Sequence, residues 1–133
     1  MIVLDTHVLI WEIGGEAKLG RKARSVIEGY WQAGTVAVSA VSFWEAGLLH
    51  ARRRVTLSAA PHEWRDEILT AGIKELPLDG LVALRYLDLT GLPDDPADRF
   101  IAATALVYGA VLMTADEKIL NWRHALERHD ARI

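Results

Sequence analysis

The strongest constraint on this chain is an alternation: short aliphatic runs recur along it, each followed by a longer stretch with helical spacing. Met1 to Leu4, Thr35 to Ser39, Ile73 to Leu76 and Ala110 to Met113 are the short runs. They read as strands, the first of them as a strand buried in a parallel sheet. Helical segments lie between them. Val8 to Ile13 closes at Gly14-Gly15, Lys18 to Trp31 ends before Gly34, and a helix opening at Ser42 runs to about Arg53. Pro61 to Thr70 turns Trp64 inward and stops at Gly72. Asp79 caps a helix to about Leu87, and Asp95 caps one that reaches Tyr108 before Gly109. A further helical segment starts near Glu117, and the tail from Ala131 to Ile133 is expected to supply a short edge strand. Strands alternating with helices demand a mainly parallel sheet covered on both faces, a three-layer α/β/α sandwich. With 133 residues and no linker, repeat or low-complexity stretch, the chain reads as a single domain over residues 1–133.

In such sheets function gathers in the crevice beyond the carboxyl ends of the strands. Four acids from distant parts of the chain are placed to meet there. Asp5 follows the first strand, and Asp116 follows the fourth, just after Thr114. Glu45 falls in the first turn of the Ser42 helix. Asp98 takes the third helical position behind the Asp95 cap and Pro96, where free backbone N–H groups and the helix dipole favour negative charge. Each acid also has a local explanation. Asp5 and Asp116 can cap helices, Ser42-Phe43-Trp44-Glu45 fits a capping box, and Asp98 can decorate a helix start. The set carries more weight than any member, because carboxylates crowded together repel and raise one another's pKa unless a cation neutralises them.

Composition narrows the cation. The chain has no cysteine, which removes disulfides, thiolate metal sites and cysteine nucleophiles. Its five histidines lack ligand spacing, which disfavours zinc. Hard oxygen donors select Mg²⁺ or Mn²⁺, and such a site suits phosphoryl chemistry. The net charge of −3 argues against a simple electrostatic nucleic-acid binder but suits an acidic metal site. The chain opens on a strand-like run and holds no apolar stretch of bilayer length, so a cytoplasmic location and no membrane contact are expected. Arg52-Arg53-Arg54 reads first as a solvated helix end and second as a contact for RNA phosphates. Arg99 is either a structural ion pair or a phosphate contact. Trp11 and Trp44 are candidates for a partner groove.

The ordered segments Val3-Leu4-Asp5-Thr6-His7-Val8-Leu9-Ile10-Trp11, Val41-Ser42-Phe43-Trp44-Glu45-Ala46-Gly47-Leu48-Leu49, Asp95-Pro96-Ala97-Asp98-Arg99-Phe100-Ile101-Ala102 and Leu112-Met113-Thr114-Ala115-Asp116 together resemble a PIN-domain ribonuclease of the VapC toxin type. The resemblance implies a doubly wound α/β/α sandwich, a homodimer, and Mg²⁺- or Mn²⁺-dependent cleavage of RNA. It implies an acidic site of Asp5, Glu45, Asp98 and Asp116, with Asp5 and Asp98 as principal metal ligands and Thr114 in support. It also implies a VapB-type antitoxin, whose C-terminal segment would lie in a hydrophobic groove beside the site. His7 stands where many relatives carry Asn or Ser. Two other functions compete: a non-catalytic RNA- or protein-binding module whose acids are caps, and a phosphatase with Asp5 as acyl-phosphate nucleophile. The latter is weakened because His7 occupies the place of the second Asp that chemistry uses.

Overall fold

A computed structural model describes residues 1–133. Five strands form one all-parallel sheet: β1 (Ile2–Leu4), β2 (Val36–Ser39), β3 (Lys74–Leu76), β4 (Val111–Thr114) and β5 (Arg128–Asp130). Their spatial order is β3-β2-β1-β4-β5. The chain therefore builds outward from β1 to one edge, then crosses back and builds outward to the other. Neighbouring connections diverge between β1 and β4, and this topological switch point is where a doubly wound sheet opens a crevice.

Seven helices cover the sheet: α1 (Thr6–Gly14), α2 (Arg21–Gln32), α3 (Ala40–Ala51), α4 (Pro61–Thr70), α5 (Gly80–Leu87), α6 (Pro96–Val107) and α7 (Glu117–Leu120). Alternation along β1 divides the core in two. Ile2 and Leu4 pack with Val8, Leu9, Ile27, Trp64 and Ile68 on the α1, α2 and α4 side. Val3 packs with Val82, Ile101, Ala105 and Ile119 on the α5, α6 and α7 side. Leu4 and Met113, in register on the two central strands, are both fully buried, so the strand ends beside the crevice are held from below.

Two expectations are corrected. The edge strand is Arg128–Asp130 and not Ala131 to Ile133. Pairing opposite β4 sets its place, Leu112 against Arg128, and an Arg-His-Asp run carries no apolar pattern to announce it. The tail instead bonds to the start of α2: Gly20 N–H donates to Ala131 O at 2.9 Å and Lys22 N–H to Ile133 O at 2.8 Å. The second correction concerns α3. Ser39, the last residue of β2, is itself the N-cap, its Oγ accepting from Val41 N–H at 3.2 Å. No loop separates strand from helix, so the cap of α3 lies three residues ahead of the expected one and Ser42 is a buried helical residue.

Candidate active site

Asp5 terminates β1 and caps α1, and both duties are visible in its bonds. Its Oδ1 accepts Thr6 N–H at 2.7 Å, and its Oδ2 accepts the Thr114 hydroxyl at 2.7 Å. Asp5 N–H donates to Met113 O at 2.9 Å, which extends the β1–β4 ladder to the carboxylate. The side chain is almost fully buried, and burial pushes its carboxyl up to about 6, against the Thr114 and Thr6 hydrogen bonds that pull it down.

Asp98 sits in the first turn of α6, whose N-cap is Asp95: Asp95 Oδ1 accepts Asp98 N–H at 3.2 Å. Pro96 fills the first helical position, and the apolar residues from Ala97 to Ala105 bury most of the helix behind it. Burial, with Asp5, Asp116, Asp95 and Glu45 around it, pushes the Asp98 carboxyl up to about 8. Burial is the larger cause, and the carboxylates facing the same space add to it.

Asp116 is the N-cap of α7, its Oδ1 accepting Lys118 N–H at 2.8 Å and Ile119 N–H at 3.3 Å. Asp116 N–H in turn donates to Thr114 Oγ1 at 3.0 Å. The Thr114 hydroxyl thus links the two acids at the ends of β1 and β4. Glu45 reaches the site from α3, but from the second helical turn and not the first, because the Ser42–Glu45 capping box does not form. A buried hydrogen bond positions that helix: Thr6 Oγ1 donates to Ser42 Oγ at 3.0 Å, tying the start of α1 to α3.

All four expected acids line one pocket of about 340 Å³, together with His7, Trp11, Asp95 and Ala115. Capping and lining the pocket are therefore not alternatives here; Asp5 and Asp116 do both. The donor set is all oxygen apart from His7, which fits a hard divalent ion. No three of the acids and histidines converge closely enough, as they stand, to share one ion. Local patterning assigned Asp95 a cap alone, and only the turn from cap to helix shows that it also faces the pocket. Thr6 and Ser42 were equally silent, since nothing in a one-dimensional pattern marks a hydroxyl pair separated by 36 positions.

The remaining candidates separate. Arg99 forms neither an ion pair nor an outward-facing contact; its guanidinium donates to Leu92 O at 2.9 Å and Tyr86 O at 2.8 Å and lies 4.7 Å from the Tyr86 ring centroid. It braces the loop that leads into α6. Trp11 lines the pocket, whereas Trp44 is exposed and does not. No helix is long and apolar enough to cross a membrane.

Known proteins agree with this architecture. The PIN domain family model matches residues 2–124. Ribonuclease VapC22 of Mycobacterium tuberculosis is 32% identical over 127 residues, covering 92% of both chains. Among solved structures, a chain of VapBC2 from Rickettsia felis, bound to a DNA fragment from its promoter, superposes with a TM-score of 0.71 at 18% identity, covering 98% of both chains. A chain of FitAcB from Neisseria gonorrhoeae does so with a TM-score of 0.65 at 21% identity, again covering 98% of both. These two likenesses speak for the fold; the matching family model and the 32% identical relative go further, and the chain belongs to the PIN-domain family, among its VapC-type members.

Proposed function

We propose that the chain is a metal-dependent endoribonuclease toxin that hydrolyses RNA phosphodiester bonds and is neutralised by a cognate VapB-type antitoxin. The observation that carries this reading is the meeting of Asp5, Glu45, Asp98 and Asp116 in one pocket, with Asp98 raised to about 8 by burial first and then by the acids around it. Charge repulsion of that kind is what a divalent cation relieves. The name of the 32% identical relative supplies the ribonuclease class, and the neighbouring complexes the antitoxin partner.

Asp5 and Asp98 are the residues that would hold Mg²⁺ or Mn²⁺. Such an ion, when bound, makes a water nucleophilic near neutral pH and offsets charge on the phosphate. The chain supplies the rest. Thr114 fixes the Asp5 carboxylate through Oδ2 and spans to Asp116, so the two strand-end acids keep their spacing. Asp116 has one oxygen committed to the α7 N-terminus, while its Oδ2 carries no hydrogen bond and is free to act on substrate or water. Glu45, on the facing helix, is suited to take a proton from the attacking water.

The same reading includes a homodimer and a cytoplasmic location. Leu81, Leu84 and Leu87 are 66%, 65% and 71% exposed along one side of α5, an apolar ridge a soluble monomer seldom shows.

The test is incubation of the purified chain with structured RNA under Mg²⁺, Mn²⁺ or EDTA, beside the Asp5→Asn variant. Cutting should require the ion and should fall in the variant by more than the about 10–100-fold that loss of an outer-shell partner costs. Cutting that persists in EDTA, or in Asp5→Asn at the parent rate, refutes the proposal.

A further inference from the structure

A second cleft, of about 530 Å³, adjoins the acidic pocket, and the two share His7 and Trp11 in their walls. It forms where the loop between α1 and α2 faces the turn that ends α3. The first contributes Glu16 and Lys18, the second Arg53 and Arg54. Lys18 is partly offset by Glu16, 3.9 Å away, but none of the chain's four salt bridges involves Arg53 or Arg54. Two uncommitted guanidinium groups thus border a cleft in a chain whose net charge is −3, so the positive charge is local and directly beside the acids.

The backbone adds a second observation. Arg53 has φ 56°, the only non-glycine residue of the chain in the left-handed region. Glycine is the low-strain choice for such a helix-ending position. A long cation held there, at a cleft, fits the tendency of strained residues to cluster at ligand sites.

We infer that this cleft is a phosphate track: Arg53 and Arg54 grip the backbone of the single-stranded RNA beyond the nucleotide at the acids, while the His7–Trp11 pair at the boundary offers a face to a base. The two rings stand 6.3 Å apart between centroids at 58°, an open arrangement with His7 exposed. Aromatic faces bordering a basic groove are the usual equipment for an unstructured strand. A polyanion that must place one phosphate among carboxylates gains from cations on the adjacent phosphates, whereas a cationic peptide arm would be repelled by them. The inference rests on the ribonuclease reading and specifies how that same site takes its substrate.

The test compares the parent chain, Arg53→Gly/Arg54→Gln, and Arg52→Gln as a control from the same turn that does not line the cleft. Glycine at position 53 suits the left-handed backbone, so the double variant keeps its fold, and thermal melting verifies this. A labelled mixed-sequence single-stranded RNA is followed by cleavage in Mg²⁺ and by fluorescence anisotropy in Ca²⁺. The double variant should raise KM and Kd about tenfold or more with kcat little changed, and the control should do neither. Loss of two contacts should also flatten the plot of log affinity against log salt by about 1.4, at about 0.7 per phosphate of a single strand. Unchanged Kd and salt slope overturn the track, whether or not the parent cuts. A parent that binds RNA through these arginines but never cuts it refutes the ribonuclease reading and leaves the track standing. If the double variant keeps its RNA affinity and instead loses a VapB-type C-terminal peptide, the cleft is a protein surface and the inference fails.

Discussion

Asp98→Asn should make the metal-free protein more stable while abolishing the metal-dependent cleavage proposed for it. The side chain contributes no cap, since Asp95 fills that role and the Asp98 carboxylate accepts no hydrogen bond. Its folded carboxyl stands at about 8, raised from 3.8 chiefly by burial and then by Asp5, Asp116, Asp95 and Glu45. A group raised on folding contributes its full stability below the unfolded value and loses it as pH climbs through the folded one. The acid is therefore harmless near pH 4 and costs most above pH 8. The whole gap corresponds to about 6 kcal/mol, at about 1.4 kcal/mol per pH unit. The group keeps partial contact with solvent, and screening with proton redistribution among the other acids reduces the realised gain to about 1–3 kcal/mol. For a domain of this size that is roughly 5–10 °C in Tm. Thermal melts of both proteins in EDTA should show the gain at pH 8.5 and less than about a third of it at pH 5, since only the stretch from 3.8 to 5 has then been traversed. Adding Mg²⁺ at pH 8.5 should raise the Tm of the parent and leave the variant nearly unmoved. A variant no more stable than the parent at pH 8.5, or a gain independent of pH, would refute the claim that Asp98 is held among uncompensated charges.

Three further expectations follow from named contacts. Thr114→Val removes the donor to Asp5 and the acceptor of Asp116 N–H, so it should cost about 1–3 kcal/mol in urea melts. It should also move the acid limb of the pH–rate profile upward, because that hydroxyl holds the Asp5 carboxyl down to about 6 against burial; an unmoved limb contradicts the role. Arg99→Ala should destabilise by about 1.5–3 kcal/mol through the orphaned carbonyls of Leu92 and Tyr86, with the salt dependence of RNA binding unchanged; a flattened salt slope would restore the phosphate-contact alternative. Leu84→Glu on the exposed ridge of α5 should convert a dimer to a monomer in light scattering, and a dimer that survives it places the interface elsewhere.

How much was legible in the sequence depends on whether a residue's signal is local. Asp5, Asp98 and Asp116 each stand at a strand end or a helix start, positions with strong one-dimensional marks, and all three reach the pocket as expected. Glu45 reaches it too, but its helical phase was misread because Ser39 serves at once as the end of β2 and the cap of α3, leaving no loop to mark the boundary. β5 was misplaced by three residues because a half-buried edge strand of Arg, His and Asp has no periodicity; only its pairing with β4 defines it. The basic cleft was legible only as the second reading of Arg52-Arg53-Arg54, a contact for RNA phosphates. Arg53 and Lys18 are ordinary surface cations in the sequence, and they become neighbours only once α1 and α3 are packed.

The strand order has a consequence in time. β1 is made before the other strands of the sheet and lies at its centre, yet the strand that completes its crevice, β4, follows β2 and β3 in the chain. The bond between Thr114 and Asp5 joins residues 109 positions apart, so the cost of closing that long loop is met only after the chain has been made through β4. A nascent or prematurely terminated polypeptide that lacks Val111 to Asp116 has neither the hydroxyl that seats Asp5 nor the fourth acid. On the proposed ribonuclease reading, polypeptides that stop short of β4 lack the complete acidic pocket, so cutting would begin only with chains that carry Thr114 and Asp116.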